Sequence, residues 1–440
     1  VLTKVRKWIN FVVKNYFIKV VFGDYFVNLC IMRKLNYIDL FSGAGGLSEG
    51  FIKAGYHPIA HVEIDKKACE TIETRLIYHK LSNENRINEY YEYISQKIDR
   101  NIFLEKCSNA EITNSVINLE IGKENNSLIF DRVDQLAKER NIDLIIGGPP
   151  CQAYSLVGRA RDKNKMQNDP RNLLYKEYAK FLERYKPSVF VFENVLGLIT
   201  ADKGSYFRKM QADFEEIGYK VKPTILNSED FGVLQKRKRV ILIGWQEDLK
   251  FEYPKFDRKK VIYSIKDILS DLKELEPGEQ NIVTRYKSQT TDYLCKYEIR
   301  NGVDFVTQHI ARPHNERDLS IYKIAIDKWL NNSERLKYPD LPTKLKTHKN
   351  EKSFVDRYKV VDINGLSHTM VAHIAKDGHH YIYPDTNQVR SISVREAARI
   401  QSFPDDYYFE GGRSAAFRQI GNAVPPLMAK EIAIKIKEQL

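Results

Sequence analysis

From residue 36 to residue 245 short β-branched runs alternate with amphipathic stretches, and this alternation constrains the fold more than any other feature of the chain. "NYIDLF" reads as a strand, "GGLSEGFIKAG" as a helix ending at Gly55, "HPIAHVEI" as a second strand and "DKKACETIETRLIYHK" as a second helix. A stretch from 81 to 128, rich in Asn, Glu and Lys, reads as a surface insertion with some helix. Beyond it "DRVDQLAKER" is helical, "IDLIIGG" a strand, "NLLYKEYAKFLERY" a helix stopped before Pro187, and "SVFVFENV" a strand. A helix over 205–217 and the strands "YKVKPTILN" and "KRVILIGW" complete the run. Strands alternating with helices over this length predict the α/β class, with a doubly wound, mostly parallel sheet. Such sheets bind ligands outside the carboxyl ends of their strands.

The chain, at 440 residues, exceeds one ordinary core, so a second domain is expected. The pattern changes after Trp245: residues 249–388 are irregular, rich in Tyr and charge, and hold seven of the ten histidines. They read as a smaller second domain. Regularity returns at 389–440, where Ser393 and Glu396 form a capping box and "PPLMAKEIAIKIKEQL" makes a last amphipathic helix. Residues 1–31 stand apart. Lys4, Lys7, Lys14 and Lys19 interrupt their apolar run, so no uncharged stretch of about 18 residues exists to span a bilayer. The cleavage-site pattern of a signal peptide is also missing. Their spacing suits a basic surface helix; the preferred reading is an extension ahead of a native start at Met32, leaving 32–248 as the first domain.

Lysine and arginine outnumber aspartate and glutamate by 70 to 58, and the extension contributes only a minor part of the net +12. A basic body favours a polyanionic partner, although a merely solvated basic surface gives the same count. Cys30, Cys69, Cys107, Cys151 and Cys295 are odd in number and scattered without a CxxC pair, so neither a disulfide framework nor a zinc site is indicated, and reduced, intracellular thiols fit best.

Four constellations can carry chemistry. In "YIDLFSGAGGLSEGF", Gly43, Gly45 and Gly46 let a ligand approach the backbone at a strand-to-helix turn. Glu63 follows Gly43 by 20 residues at the end of the next strand, where an acid grips ribose hydroxyls. The glycines do not spell GxGxxG, so a nucleoside-like cofactor with a carboxylate suits the turn better than a pyrophosphate. In "IIGGPPCQAYS", Pro149 and Pro150 fix the backbone and the strand delivers Cys151 to the carboxyl edge. A free cysteine is commonly a small buried hydrophobe, but these polar neighbours favour a nucleophile. Glu193 in "FENV" ends another strand at that edge. Arg237 and Arg239 in "QKRKRV" are two apart, on one face of a strand, and taken alone would be a solvated charge run.

Together these residues resemble the DNA (cytosine-5) methyltransferase family of bacterial restriction-modification type, from about residue 35 to 440 with a gap in the middle. The resemblance rests on "DLFSGAGGLSEGF", "VEID", "GGPPCQAYS", "FENV", "QKRKRVILIG", "SVREAARIQSFP" and "QIGNAVPP", in the family's order. It implies S-adenosylmethionine as cofactor, lined by Phe41, Gly43, Gly46 and Pro150, with Glu63 on the ribose. Asn422 would close the pocket and the C-terminal helix would complete it; Glu120 in "NLEIG" is the candidate acidic contact to the adenine. Cys151 would add to carbon 6 of a flipped cytosine, Glu193 would serve ring nitrogen 3, and Arg239, with Arg237 close by, the ring carbonyl. Ser155 and Arg171, in the polar segment after Cys151, would meet DNA phosphates. Residues 249–388 would be the target-recognition domain, reading double-stranded DNA; the rival is an RNA cytosine-5 methyltransferase on the same scaffold. No metal is expected. The resemblance further implies a cytoplasmic, nucleoid-associated monomer that protects host DNA from an endonuclease acting on the same site without binding it.

Overall fold

The computed structural model describes residues 18–22, 25–29, 33–150, 174–347, 350–352 and 355–440. Its centre is a seven-stranded sheet of β3 (Asn36–Leu40), β4 (His57–Glu63), β5 (Val116–Asn118), β6 (Leu144–Gly147), β7 (Val189–Asn194), β8 (Tyr219–Asn227) and β10 (Lys238–Gln246), in the order β5-β4-β3-β6-β7-β10-β8. The strands β5, β4, β3, β6 and β7 pair in parallel, while β10 runs antiparallel to both its neighbours. The chain winds outward from β3 through β4 to β5, then restarts at β6 and winds the other way. The carboxyl ends of β3 and β6 therefore flank the switch point, the place where such sheets open a crevice.

The two faces of the sheet bury different sets of side chains, as the alternation along each strand requires. Ile38, Leu40, Ile145, Phe190 and Phe192 pack against the helices Asn126–Ala137, Leu174–Tyr185 and Ser205–Glu216. Tyr37, Ile146, Val191, Ile241 and Ile243 pack against the helices Gly46–Lys53 and Pro426–Lys437. Those two helices touch at Gly50, where a Cβ would collide with Ala429. The insertion of 81–128 holds the helices Ile87–Ile94, Arg100–Cys107 and Ala110–Ser115 and then β5 itself.

The second lobe carries an antiparallel pair, β11 (Gln280–Arg285) and β12 (Phe305–Ile310). Its core joins Ile265, Leu294 and Val306 to Val394, Ile400, Phe417 and Ile420. Arg390, Arg395 and Arg399 are all buried there: Arg390 meets Glu396, Arg395 donates to Thr307 and Tyr407, and Arg399 bridges Asp271 and Asp405. The boundary expected at 389 thus does not coincide with the division between cores. That division falls between Ala423, in the second lobe's core, and Val424, in the first's. The capping box at Ser393 and Glu396 is present.

The helical spacing weighed for the N-terminus runs from Leu2 to Val20, of which residues 1–17 lie outside the described residues. Ile18–Phe22 (β1) and Tyr25–Leu29 (β2) pair antiparallel as a two-stranded sheet of their own. Their β-branched and aromatic residues suit extended pairing. No helix among the described residues is long and apolar enough to cross a membrane.

Candidate active site at the carboxyl edge of the sheet

The loop after β3 forms one wall of the crevice. Phe41, Gly43 and Gly45 take left-handed backbone angles, with φ of 55°, 54° and 74°. Gly43 donates its N–H to Glu63 Oε2 at 2.8 Å, and Asp65 donates to Oε1 at 2.8 Å, so the carboxylate is fixed at the end of β4. Burial pushes the Glu63 carboxyl above the usual glutamate range, against those two N–H donors. Burial, and then Glu63, also push Asp39 well up, and its Oδ2 has no hydrogen-bond partner among the described residues. A Cβ on Gly43 would meet nothing within 4 Å, whereas one on Gly46 would strike the Val424 carbonyl. Gly43 therefore faces open space and Gly46 serves close packing. Phe41 is half-buried against the sheet's core. Beside Glu63, Ile64 is 60% exposed, and Asn118 at the end of β5 donates to the Glu63 and Ile64 carbonyls at 3.0 and 2.9 Å. An acceptor carboxylate, a bare glycine and an uncovered apolar side chain fit a nucleoside-bearing cofactor.

The other wall follows β6. Leu40 and Gly147 are register partners, and a Cβ at Gly147 would strike the Leu40 carbonyl, so the two loops leave adjacent strands side by side. At Gly148 a Cβ would lie 2.8 Å from Glu193 Oε2. Asn194 donates to the Pro149 carbonyl at 3.2 Å, and Pro150 is exposed just beyond. Cys151, Ser155 and Arg171 lie outside the described residues.

Arg239 completes the edge. Its Nε lies 2.7 Å from Glu193 Oε1, and the two side chains are 11% and 12% exposed. The antiparallel course of β10 makes this contact: Ile241 registers with Glu193, so the start of β10 meets the end of β7. Arg237 does not share the arrangement. It falls between β9 (Gln235–Lys236) and β10, where the strand is interrupted, and its buried guanidinium donates to the carbonyls of Met370, Gly421 and Asn422. Of the two arginines expected on one strand, only Arg239 lies within β10. Asn422 ends the helix Arg413–Asn422 and is exposed. The Glu120 carbonyl accepts from Asn125 at 2.9 Å.

Sequence reasoning did not single out Ile64, Asn118 or Tyr407. The Tyr407 hydroxyl donates to the Ala44 carbonyl at 2.5 Å, so the second lobe braces the glycine turn. Ile64 was within reach as the residue after a strand-end acid; Tyr407, 363 positions from Ala44, was not.

The sequence pattern of the C-5 cytosine-specific DNA methylase family matches residues 35–100 and 111–438. The type II methyltransferase M.Bpa9945I of Bacillus paralicheniformis is 44% identical over 437 residues, covering 91% of this chain and 98% of its own length. M.DdeI, a type II methyltransferase of Desulfomicrobium norvegicum, is 31% identical over 427 residues, covering 91% and 88%. In fold, the chain resembles the crystal structure of a prophage-encoded E. coli protein described as a DNA modification methyltransferase. That match has a TM-score of 0.61 at 24% identity and covers 92% of this chain and 99% of the other. With the glycine turn, the Glu63 cradle and the Glu193–Arg239 pair on one sheet edge, the chain belongs to the C-5 cytosine-specific DNA methylase family.

Proposed function

We propose that this protein methylates carbon 5 of a cytosine within a specific short sequence of double-stranded DNA. The observation that carries the reading is the Glu193–Arg239 pair, held against Gly148 where β6 hands the chain to Pro149, Pro150 and Cys151. S-adenosylmethionine, when bound, supplies an electrophilic methyl group. Glu63 would take its ribose hydroxyls, Ile64 would cover its base, and Phe41, Gly43, Pro150 and Asn422 would line or close the pocket. Gly46 contributes by letting residues 423–424 approach the turn.

Carbon 5 of cytosine is a poor nucleophile until the ring is made electron-rich. The Cys151 thiolate would add to carbon 6, converting the ring to an enamine whose carbon 5 takes the methyl group. Glu193 would hold the proton at ring nitrogen 3, and Arg239 would stabilise charge on the ring carbonyl. Loss of the carbon 5 proton to a base then regenerates the double bond and expels the thiolate. A stacked base cannot reach Cys151, so the target must be flipped out, with Ser155 and Arg171 on nearby phosphates. The second lobe would read the flanking bases. In the same reading the protein is a cytoplasmic, nucleoid-associated monomer that protects host DNA; the relatives named as type II methyltransferases support its methyltransferase part.

The test is covalent trapping. A duplex with 5-fluorocytosine at the target should hold the wild-type chain covalently in the presence of cofactor, because fluorine cannot leave as the proton does. Cys151→Ser should neither trap nor turn over. Methylation of ordinary duplex without trapping would remove Cys151 from the mechanism, and transfer to tRNA but not to duplex DNA would favour the RNA reading.

A further inference from the structure

The chemistry proposed above gives Arg237 no task. Its side chain is nevertheless among the largest fully buried ones in the protein. A buried guanidinium is tolerated where acceptors surround it, and among the described residues these include three main-chain carbonyls. Nη1 donates to Met370 O; Gly421 O lies 3.4 Å from Nη1 and 3.3 Å from Nη2; Asn422 O lies 3.5 Å from Nη2.

These carbonyls belong to two segments with different duties. Met370 sits in a second-lobe run laid along the strand that leads to Arg239. There β13 (Ser367–His368) pairs in parallel with β9, Thr369 Oγ1 donates to the Lys236 carbonyl at 2.6 Å, and the Met370 N–H donates to Gln235 Oε1 at 2.7 Å. Gly421 and Asn422 end the helix Arg413–Asn422, whose last residue is the one proposed above to line or close the cofactor pocket. The two segments also touch each other, because a Cβ on Gly421 would collide with the backbone of Val371 and Ala372.

We infer that Arg237 is a positioning residue: through the carbonyls of Met370, Gly421 and Asn422 it sets the second lobe and the Asn422 turn in fixed register with Arg239, two residues further along the chain. The inference rests on the roles proposed for Arg239 and Asn422. A planar fork with several donors can span carbonyls from separate segments, whereas a lysine offers one compact charge.

The experiment compares the full-length chain with Arg237→Lys and Gly421→Ala. S-adenosylmethionine affinity is read by calorimetric titration, duplex methylation by kcat and KM, and stability by Tm. Arg237→Lys should weaken cofactor binding about ten-fold and lower kcat about 100-fold, as a misplacement near 1 Å does. Gly421→Ala, which keeps the charge but displaces the Val371–Ala372 backbone, should shift both in the same direction. A fall in Tm with affinity and kcat within about two-fold of wild type would overturn the inference, leaving Arg237 a stability element. So would a loss of kcat in Arg237→Lys with cofactor affinity unchanged, which would place Arg237 on the base itself. Should Arg237→Lys not fold, Gly421→Ala decides alone: weakened cofactor binding supports the joint and unchanged binding refutes it. Failure of the wild type to methylate DNA would refute the functional reading instead, and the cofactor titration would still report on the clamp.

Discussion

Arg239 and Glu193 are joined at 2.7 Å although they sit on strands that run in opposite directions, and the reversal is what lets the first turn of one strand meet the last of another. A nearly buried pair of this kind acts as a unit. Arg239→Ala should slow methyl transfer at every DNA site by about 2 to 4 kcal/mol of barrier, the pattern of a lost oxyanion donor. Glu193→Gln should do the same, and the double variant should lose clearly less than the sum. Single-turnover methylation measures all three, and additive losses would show that the two side chains act separately.

Gly43 and Gly46 should separate ligand space from packing space. Gly43→Ala keeps its surroundings clear, so its stability cost should be the left-handed backbone alone, about 1 to 2 kcal/mol, while cofactor binding weakens sharply. Gly46→Ala drives a methyl into the Val424 carbonyl and should cost about 1 to 3 kcal/mol of stability. Thermal melts with and without S-adenosylmethionine check both. A Gly43 variant that binds cofactor normally would sink the placement of the pocket.

A pH dependence follows from Glu49. Burial opposes its ionisation, but Arg75 and then His79 hold its carboxyl well below the usual glutamate range. Arg75 forms paired bonds to it at 2.9 and 2.6 Å and also meets Asp406 at 2.9 Å. Because the folded value lies below the unfolded one, this stabilisation is complete above pH 4.5 and is lost as pH falls through the depressed folded value. Glu49→Gln should therefore cost about 3 kcal/mol at pH 7, and the gap from wild type should close in acid. Denaturant unfolding at several pH values tests it; a gap independent of pH would point to packing instead.

A lobe exchange should succeed only along the division between cores. Replacing 249–388 alone keeps Arg390 on Glu396 and Arg399 on Asp405 but removes the Leu275 carbonyl, Thr307 and Asp271 from Arg390, Arg395 and Arg399, and each buried donor left unsatisfied costs about 1 to 3 kcal/mol. Replacing 249–423 carries the partners along, and should give a folded protein that adopts the donor's sequence preference. Methylation-sensitive sequencing reads the outcome. Retention of the original sites would place recognition outside the second lobe.

Removing residues 1–31 should change stability by less than about 1 kcal/mol, since β1 and β2 pair with each other and not with the central sheet. A larger loss in a melt of the truncated chain would tie the hairpin to the core.

Local pattern by itself determined the strands of the central sheet, because the burial of "YIDL", "LIIG" and "VFVF" is written in consecutive residues. It also determined that Gly43 and Glu63 meet: β3, a crossover helix and β4 form one parallel unit, and a right-handed crossover leaves adjacent carboxyl ends little choice. Glu193 was legible for the same reason. The direction of β10 was not, because a strand's alternation is identical whichever way it enters a sheet; only its register with β7 and β8 brings Arg239 to Glu193. Nor could spacing separate Arg237 from Arg239, since the break between them depends on Ser228, whose N–H bonds the Arg237 carbonyl at 2.9 Å and whose hydroxyl accepts the Arg237 N–H at 3.2 Å. The helix Val394–Ile400 has a start written in its capping box, but its allegiance to the second lobe is fixed by the distant acceptors Asp271 and Thr307. Hydrogen-bond periodicity is local and survives in one dimension; the partner of a buried charge is chosen by three-dimensional proximity, and tertiary structure alone decides it.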